Sequence, residues 1–236
     1  MAKLEVAFSP DLYPFYENKE AIVVVIDIFR ATSAICTAFE NGVKSIIPVE
    51  KVEDAKALQN KGYIAAAERQ GQIVDGFHLG NSPFHYIDES ITGKEVVLTT
   101  TNGTRAIFVA KNSYKIIIGS FLNFSAVCDY LKQEKKDVLL LCAGWKGRFN
   151  LEDSLFAGAV VNQLEGDVFN ELSDSARATQ TFYEVGKSDI DDFLINSSHR
   201  RRLKNLNLEK DIKYCLQMDQ TKVVPELKGD RLVVQK

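Results

Sequence analysis

Residues 22–39 read IVVVIDIFRATSAICTAF, and this stretch limits the fold more tightly than any other. Ile22 to Ile26 are five consecutive β-branched aliphatic residues. A run that short and that apolar suits a strand covered on both faces. Asp27 closes it, and Arg30, Thr32 and Ser33 follow in a turn. Ala34, Ile35, Ala38 and Phe39 then recur at helical spacing. A buried strand that delivers an acid, a guanidinium and two hydroxyls to the start of a helix is where open α/β sheets place ligands. The helix N-terminus would add free N–H groups and a partial positive charge, which suits an anion. The plainer reading is that Asp27 caps the helix and Arg30 pairs with it.

The same pattern recurs along the chain. A first strand covers residues 4–8, and Ser9-Pro10-Asp11 breaks it. Further strands are expected at 45–49, 63–67, 95–99, 115–119 and 137–142, with helices at 52–62, 106–110, 126–132 and 156–164. Asn41-Gly42 stops the first helix as a C-terminal cap does. The remainder reads as helical at 173–185, 189–196 and 198–206, with a short strand at 232–234. Residues 71–87 form a long irregular connection, but Phe77, Leu79, Phe84 and Tyr86 predict that it is packed down. Alternating strands and helices predict a three-layer α/β/α fold on a mostly parallel or mixed sheet. The echo between 22–49 and 95–120 suggests a β-α-β duplication. It is compatible with one domain over 1–236 made of two similar halves that meet near 90–95.

The charge balance narrows the function. The net charge of -3 offers no basic face for nucleic acid. The apolar runs are strand-sized, so none is expected to cross a membrane. The N-terminus lacks the pattern of a secretory signal. Cys36, Cys128, Cys142 and Cys215 are scattered, which predicts free thiols in a reducing cytoplasm. Nothing in the sequence speaks against a homo-oligomer.

The chemistry gathers in the turns after the strands. Each holds an arginine: Arg30, Arg69, Arg105 or Arg148. Guanidiniums converging on a strand edge would grip phosphate, sulfonate or carboxylate in bidentate forks. Residues 99–104 add hydroxyls and N–H groups beside a glycine. Asp27, Glu68, Glu152 and Asp153 stand in the same turns. Two or three carboxylates, water and substrate phosphate are what Mg²⁺ takes. Glu152 and Asp153 equally suit the first turn of a helix. Cys142 and Arg148 have the Cys-x5-Arg spacing of cysteine-dependent phosphatases, but Leu141 and Phe149 stand where those enzymes usually place His and Ser or Thr. His78 and His85 read as structural loop histidines. His199 and the arginines 200–202 read as a solvated helix face.

Five stretches, VVVIDIFRATSAICTA, GFHLGNSP, VVLTTTNGTRAI, GSFLN and CAGWKGRFNLEDSLFAGAVV, occur in this order. Together they resemble the 2-phosphosulfolactate phosphatase family from about Ile22 to Val161, and more weakly through SSHRRRL and VVPEL. The resemblance implies a Mg²⁺-dependent acid phosphatase. It would convert 2-phospho-3-sulfolactate, a small phosphorylated and sulfonated hydroxy acid, to 3-sulfolactate and phosphate in coenzyme M biosynthesis. The family's motif acids and bases correspond to Asp27, Arg30, Glu68, Arg69, Asn81, Asn102, Arg105, Arg148 and Asp153; His78 departs from the pattern, standing where relatives usually carry an acid. The expected metal ligands are Asp27, Glu68 and Asp153. Asp27, Arg30 and Arg148 are the expected catalytic residues. The expected substrate contacts are Arg69, Asn81, Thr101, Asn102, Gly103, Thr104, Arg105 and Gly144. Attack by water is favoured over an aspartyl-phosphate on Asp27, because Phe29 interrupts the D-x-D spacing of aspartyl phosphatases. A non-catalytic binder of small organic anions is the alternative from another class.

Overall fold

A computed structural model describes residues 2–234. Strand β1 (Ala2–Ala7) leads to β2 (Ile22–Ile26), helix α1 (Ala31–Glu40), β3 (Ser45–Pro48), α2 (Val52–Gln59) and β4 (Ile64–Arg69). Next come the short β5 (Gln72–Ile73), β6 (Glu95–Thr99), α3 (Gly103–Val109), β7 (Lys115–Gly119), α4 (Phe124–Glu134) and β8 (Val138–Cys142). The chain continues through α5 (Leu151–Leu164), β9 (Phe169–Leu172), α6 (Asp174–Gly186), α7 (Ile190–Phe193), α8 (Ser198–Asn205) and α9 (Glu209–Cys215). A hairpin of β10 (Glu226–Lys228) and β11 (Arg231–Val233) follows.

All these strands join one sheet in the order β5-β4-β6-β3-β11-β10-β7-β2-β8-β1-β9. It is a mixed sheet built from two parallel blocks, β4-β6-β3 and β7-β2-β8-β1-β9. The hairpin lies antiparallel between them, pairing Leu232 with Ile46 on one side and Glu226 with Ile117 on the other. β2 comes from before residue 90 and pairs with β7 and β8, while β6 comes from after it and pairs with β3 and β4.

The β2 run is buried along its whole length because its two faces feed two cores. Ile22, Val24 and Ile26 pack with Leu140, Phe156 and Val160 under α5, and Val23 and Val25 pack with Ala34, Ile35 and Ile107 under α1 and α3. Successive side chains on a strand point to opposite faces, so an uninterrupted apolar run needs a cover on each. A third cluster, with Ala55, Ala65, Ala67 and Val97, sits under α2. Helices on both faces of a mixed sheet give the expected three layers. Residues 71–87 are packed down as expected: Phe77 and Tyr86 are buried, and the Tyr86 hydroxyl donates to the Gly80 carbonyl at 2.7 Å. Strands β5, β9 and β10 and helix α9 were not expected from the sequence.

Candidate active site

The two parallel blocks run in opposite directions, yet the end of β4 and the turns after β2, β6 and β8 bring Glu68, Asp27, Thr101 and Trp145 to one place. They line a cavity of about 440 Å³, including its open mouth. Three cationic side chains face two carboxylates there: Arg30, Lys146 and Arg202 against Asp27 and Glu68. Asn81, Asn102, Phe29 and His199 complete much of the wall.

Asp27 is 8% exposed, and burial raises its pKa to about 6, opposed by the neighbouring His199. Its Oδ1 accepts the Ala31 N–H at 3.3 Å and its backbone carbonyl accepts the Thr32 N–H at 3.0 Å. Asp27 therefore does cap α1, and the N–H groups expected to greet an anion are partly taken. Arg30 pairs with Asp211, at 2.9 Å, rather than with Asp27. The peptide bond between Phe29 and Arg30 is cis. Gly103 starts α3 directly against this acid. A Cβ there would lie 2.6 Å from the Ala31 Cβ and 2.9 Å from Asp27 Oδ2, so only glycine lets the turn approach. Glu68 ties two turns together, accepting the N–H of Gly71 at 2.5 Å and of Thr101 at 3.2 Å.

His199 belongs to the site, against the expectation of a solvated face. It is 6% exposed, and its Nδ1 lies 2.6 Å from Oε1 of the fully buried Glu152. Asn150 donates to the same Glu152 oxygen at 3.1 Å. The imidazole stacks on Trp145 at 6.0 Å, and the Arg202 guanidinium lies over that indole at 5.4 Å. Arg200 is also buried, paired with Asp191, while Arg201 is exposed. A signal for this was present in the sequence. His199 and Leu203 stand four residues apart on α8, and Leu203 is core, so they share its inward face.

A family model described as 2-phosphosulpholactate phosphatase matches residues 7–230. This chain belongs to the 2-phosphosulpholactate phosphatase family. A protein of Thermotoga petrophila named "Probable 2-phosphosulfolactate phosphatase" is 48% identical over 204 residues, covering 86% of this chain and 88% of its own length. Relatives with the same name from Caldanaerobacter subterraneus and Clostridium perfringens are 41% and 38% identical, covering 89% and 98% of this chain and 89% and 95% of their own lengths.

Within this family member, the expected site residues divide into those the fold gathers and those it does not. Asp27, Arg30, Glu68, Asn81, Thr101 and Asn102 line the cavity, with Gly103 abutting Asp27. Arg69, Thr104 and Arg105 line a separate shallow groove, which shares only Thr101 with the cavity. Arg69 spends its N–H groups on the carbonyls of Glu68 and Glu50 and on the Thr99 hydroxyl, and Arg105 pairs with Asp11 at the surface. Thr104 and Thr100 exchange hydrogen bonds within their own turn. Arg148 is exposed and does not line the cavity. The four expected guanidiniums thus do not converge, and Arg202 and Lys146 supply the positive charge instead. Gly144 donates its N–H to Asp153 Oδ2 at 3.1 Å.

Asp153 is fully buried behind the cavity, where it accepts N–H groups from Ile28 at 2.8 Å and from the Asn150 amide at 2.8 Å. Burial, with Asp27 and Glu152 nearby, pushes its pKa well up. It locks the turns after β2 and β8 together and does not line the cavity. Asp27 and Glu68 do suit a hard cation. The Asn81 side-chain carbonyl, buried in the same wall and without a hydrogen-bond partner, makes a third oxygen. Among the described residues no three His, Cys, Asp or Glu groups stand together as a metal cage. One or two carboxylates with water and substrate phosphate is the usual Mg²⁺ arrangement, so the oxygens present fit that ion.

Cys142 is buried at the end of β8, and burial together with Asp153 pushes its thiol pKa well above the ordinary value. With Arg148 outside the cavity as well, the cysteine-phosphatase arrangement is absent. All four cysteines are free and buried. Replacing Cys142 by Ala is expected to leave turnover within about threefold of the wild type, since a buried free cysteine acts as a small hydrophobe. Iodoacetamide should label none of the four in the native protein, as mass spectrometry of its peptides will show.

Proposed function

We propose that this chain hydrolyses the phosphomonoester of a small sulfonated hydroxy acid, 2-phospho-3-sulfolactate, with Mg²⁺ as its cofactor. The observation that carries this reading is the cavity where Arg30, Lys146 and Arg202 face Asp27 and Glu68 at the carboxyl ends of the strands. Such a site attracts a multiply charged anion and still offers carboxylate oxygens for a cation. The substrate named for the relatives carries phosphate, carboxylate and sulfonate on three carbons, which matches three cations. Asp27, Glu68 and the Asn81 carbonyl would hold Mg²⁺, which when bound neutralises phosphoryl oxygens.

The chain's own residues perform the rest. Arg30 and Arg202 hold the anionic oxygens, and Trp145 walls the cavity beside them. His199 keeps Nδ1 on Glu152, which leaves Nε2 as the nitrogen available to the cavity. A water adds to phosphorus, the ester P–O bond breaks, and the leaving alcohol oxygen takes the proton from Nε2. The proton released by the attacking water restores the imidazolium.

A panel of phosphorylated two- and three-carbon acids, assayed with Mg²⁺ and with EDTA, tests the reading. Phosphate release from 2-phospho-3-sulfolactate that stops in EDTA supports it. Tight anion binding without phosphate release from any ester would instead leave the chain a binding module. The geometry also ranks the arginines. Arg202→Ala should raise KM about 10- to 100-fold through the loss of a charge-assisted contact, while Arg148→Ala should change it less than about twofold. Steady-state kinetics of the two variants side by side will check this.

A further inference from the structure

Arg30 is a buried cation that cannot choose its own position. Only 4% of its side chain is exposed, yet it lines the cavity. One arm, Nη1, donates to Oδ1 of Asp211 on α9 at 2.9 Å. The other, Nη2, donates to the Gly71 carbonyl at 2.8 Å. Asp211 is 4% exposed and receives the Ser82 hydroxyl as well, at 3.0 Å and 2.8 Å from its two oxygens. Four separate segments meet at this carboxylate and its guanidinium: the turn after β2, the turn at Gly71, the Asn81-Ser82 loop and α9. Behind them lies a second cavity of about 1200 Å³ including its mouth, which also touches Arg30 and Asp211. Arg30 therefore stands in a partition with space on both sides, and its fork must be held from behind to face the catalytic cavity.

We propose that Asp211 is the positioning residue for Arg30. A guanidinium has five N–H donors in a rigid plane. Fixing two of them on Asp211 and Gly71 fixes where the other three point. Without the carboxylate the buried cation loses its ion-pair partner and has an adjoining cavity to swing into. The gripping fork is then misplaced, although every residue that touches the substrate is still present. This rests on Arg30 gripping the phosphate, as argued above.

The test is a double-mutant cycle read by both turnover and inorganic phosphate binding. Asp211→Asn should lower kcat/KM about 100-fold, because misplacing a contact group costs that much even when the change is remote from the chemistry. It should weaken phosphate binding, measured by calorimetry, about tenfold. In an Arg30→Lys background the same Asp211→Asn change should cost less than about threefold in either measurement, because the residue it acts through is gone. A loss of equal size in both backgrounds would overturn the proposal, as would a loss below threefold with Arg30 present. Ser82→Ala, a milder cut at the same carboxylate, provides the second cycle if Asp211→Asn does not fold. Its expected several-fold loss should likewise vanish in Arg30→Lys, and an equal loss in both backgrounds counts against the idea. If the wild type releases no phosphate from 2-phospho-3-sulfolactate, the substrate assignment fails, and the binding cycle still decides on Asp211.

Discussion

Replacing His199 by Asn is expected to lower kcat about 10²- to 10⁴-fold while leaving the protein folded, the range removed with a positioned proton donor. The amide of Asn can still donate to Glu152 from about where Nδ1 stands, so the buried carboxylate keeps a partner. The nitrogen that would serve the leaving oxygen is lost. Glu152 offers a second cut at the same dyad. It is fully buried, its Oε2 has no hydrogen-bond partner, and its Oε1 is shared by His199 at 2.6 Å and the Asn150 amide at 3.1 Å. Glu152→Gln preserves the volume but removes the charge that stabilises an imidazolium and selects its tautomer. It should cost about 10²-fold or more in kcat, by analogy with other carboxylate-oriented histidines. Retention of kcat within about threefold by His199→Asn, with circular dichroism unchanged, would remove His199 from the reaction.

The second large effect is on stability. Gly158 lies in the middle of α5, where α6 crosses it closely. A Cβ at this position would sit 1.9 Å from the Thr179 carbonyl oxygen and 3.1 Å from the Tyr183 Cβ. The nearer obstacle is backbone, which cannot swing aside as a side-chain tip can. Gly158→Ala gains about 1 kcal/mol of helix propensity. Against that, forcing α5 and α6 apart costs at least the upper end of overpacking, about 3 kcal/mol. The overpacking wins. A net loss of about 2 kcal/mol or more should lower Tm by roughly 4–8 °C in a chain of this size. Thermal unfolding followed by circular dichroism measures it directly, and an unchanged or raised Tm would contradict the packing described.

The sequence revealed the sheet better than the site, for a physical reason. Runs such as Ile22–Ile26 and Val138–Cys142 announce themselves because a strand covered on both faces must be apolar throughout. Phe169–Leu172, at the edge of the sheet beside β1, faces no such demand, and Glu226–Lys228 is three residues long. The turns were found because strands end there, but depth within a turn leaves no mark on spacing. Arg148 and Arg30 look alike in the sequence, and one is exposed while the other is 3% exposed. His199 was hidden by its company of arginines, since its burial is decided by Glu152, 47 residues away. Asp211 lies 181 residues from Arg30, beyond the reach of any local pattern.

The hairpin at residues 226–233 has a consequence for the nascent chain. Asp27 hangs from the β2 block and Glu68 and Thr101 from the β4-β6 block, and in the sheet these blocks are joined by β10 and β11. On the ribosome both blocks emerge before the residues that join them. Until then β3 and β7 each present an open edge of unpaired N–H and C=O groups, the kind of surface that recruits the wrong strand. A ribosome stalled before residue 226 would thus display most of the molecule's secondary structure and its core helices, with the two walls of the cavity still unjoined in the sheet. Anion affinity should be among the last properties this chain acquires as it is made.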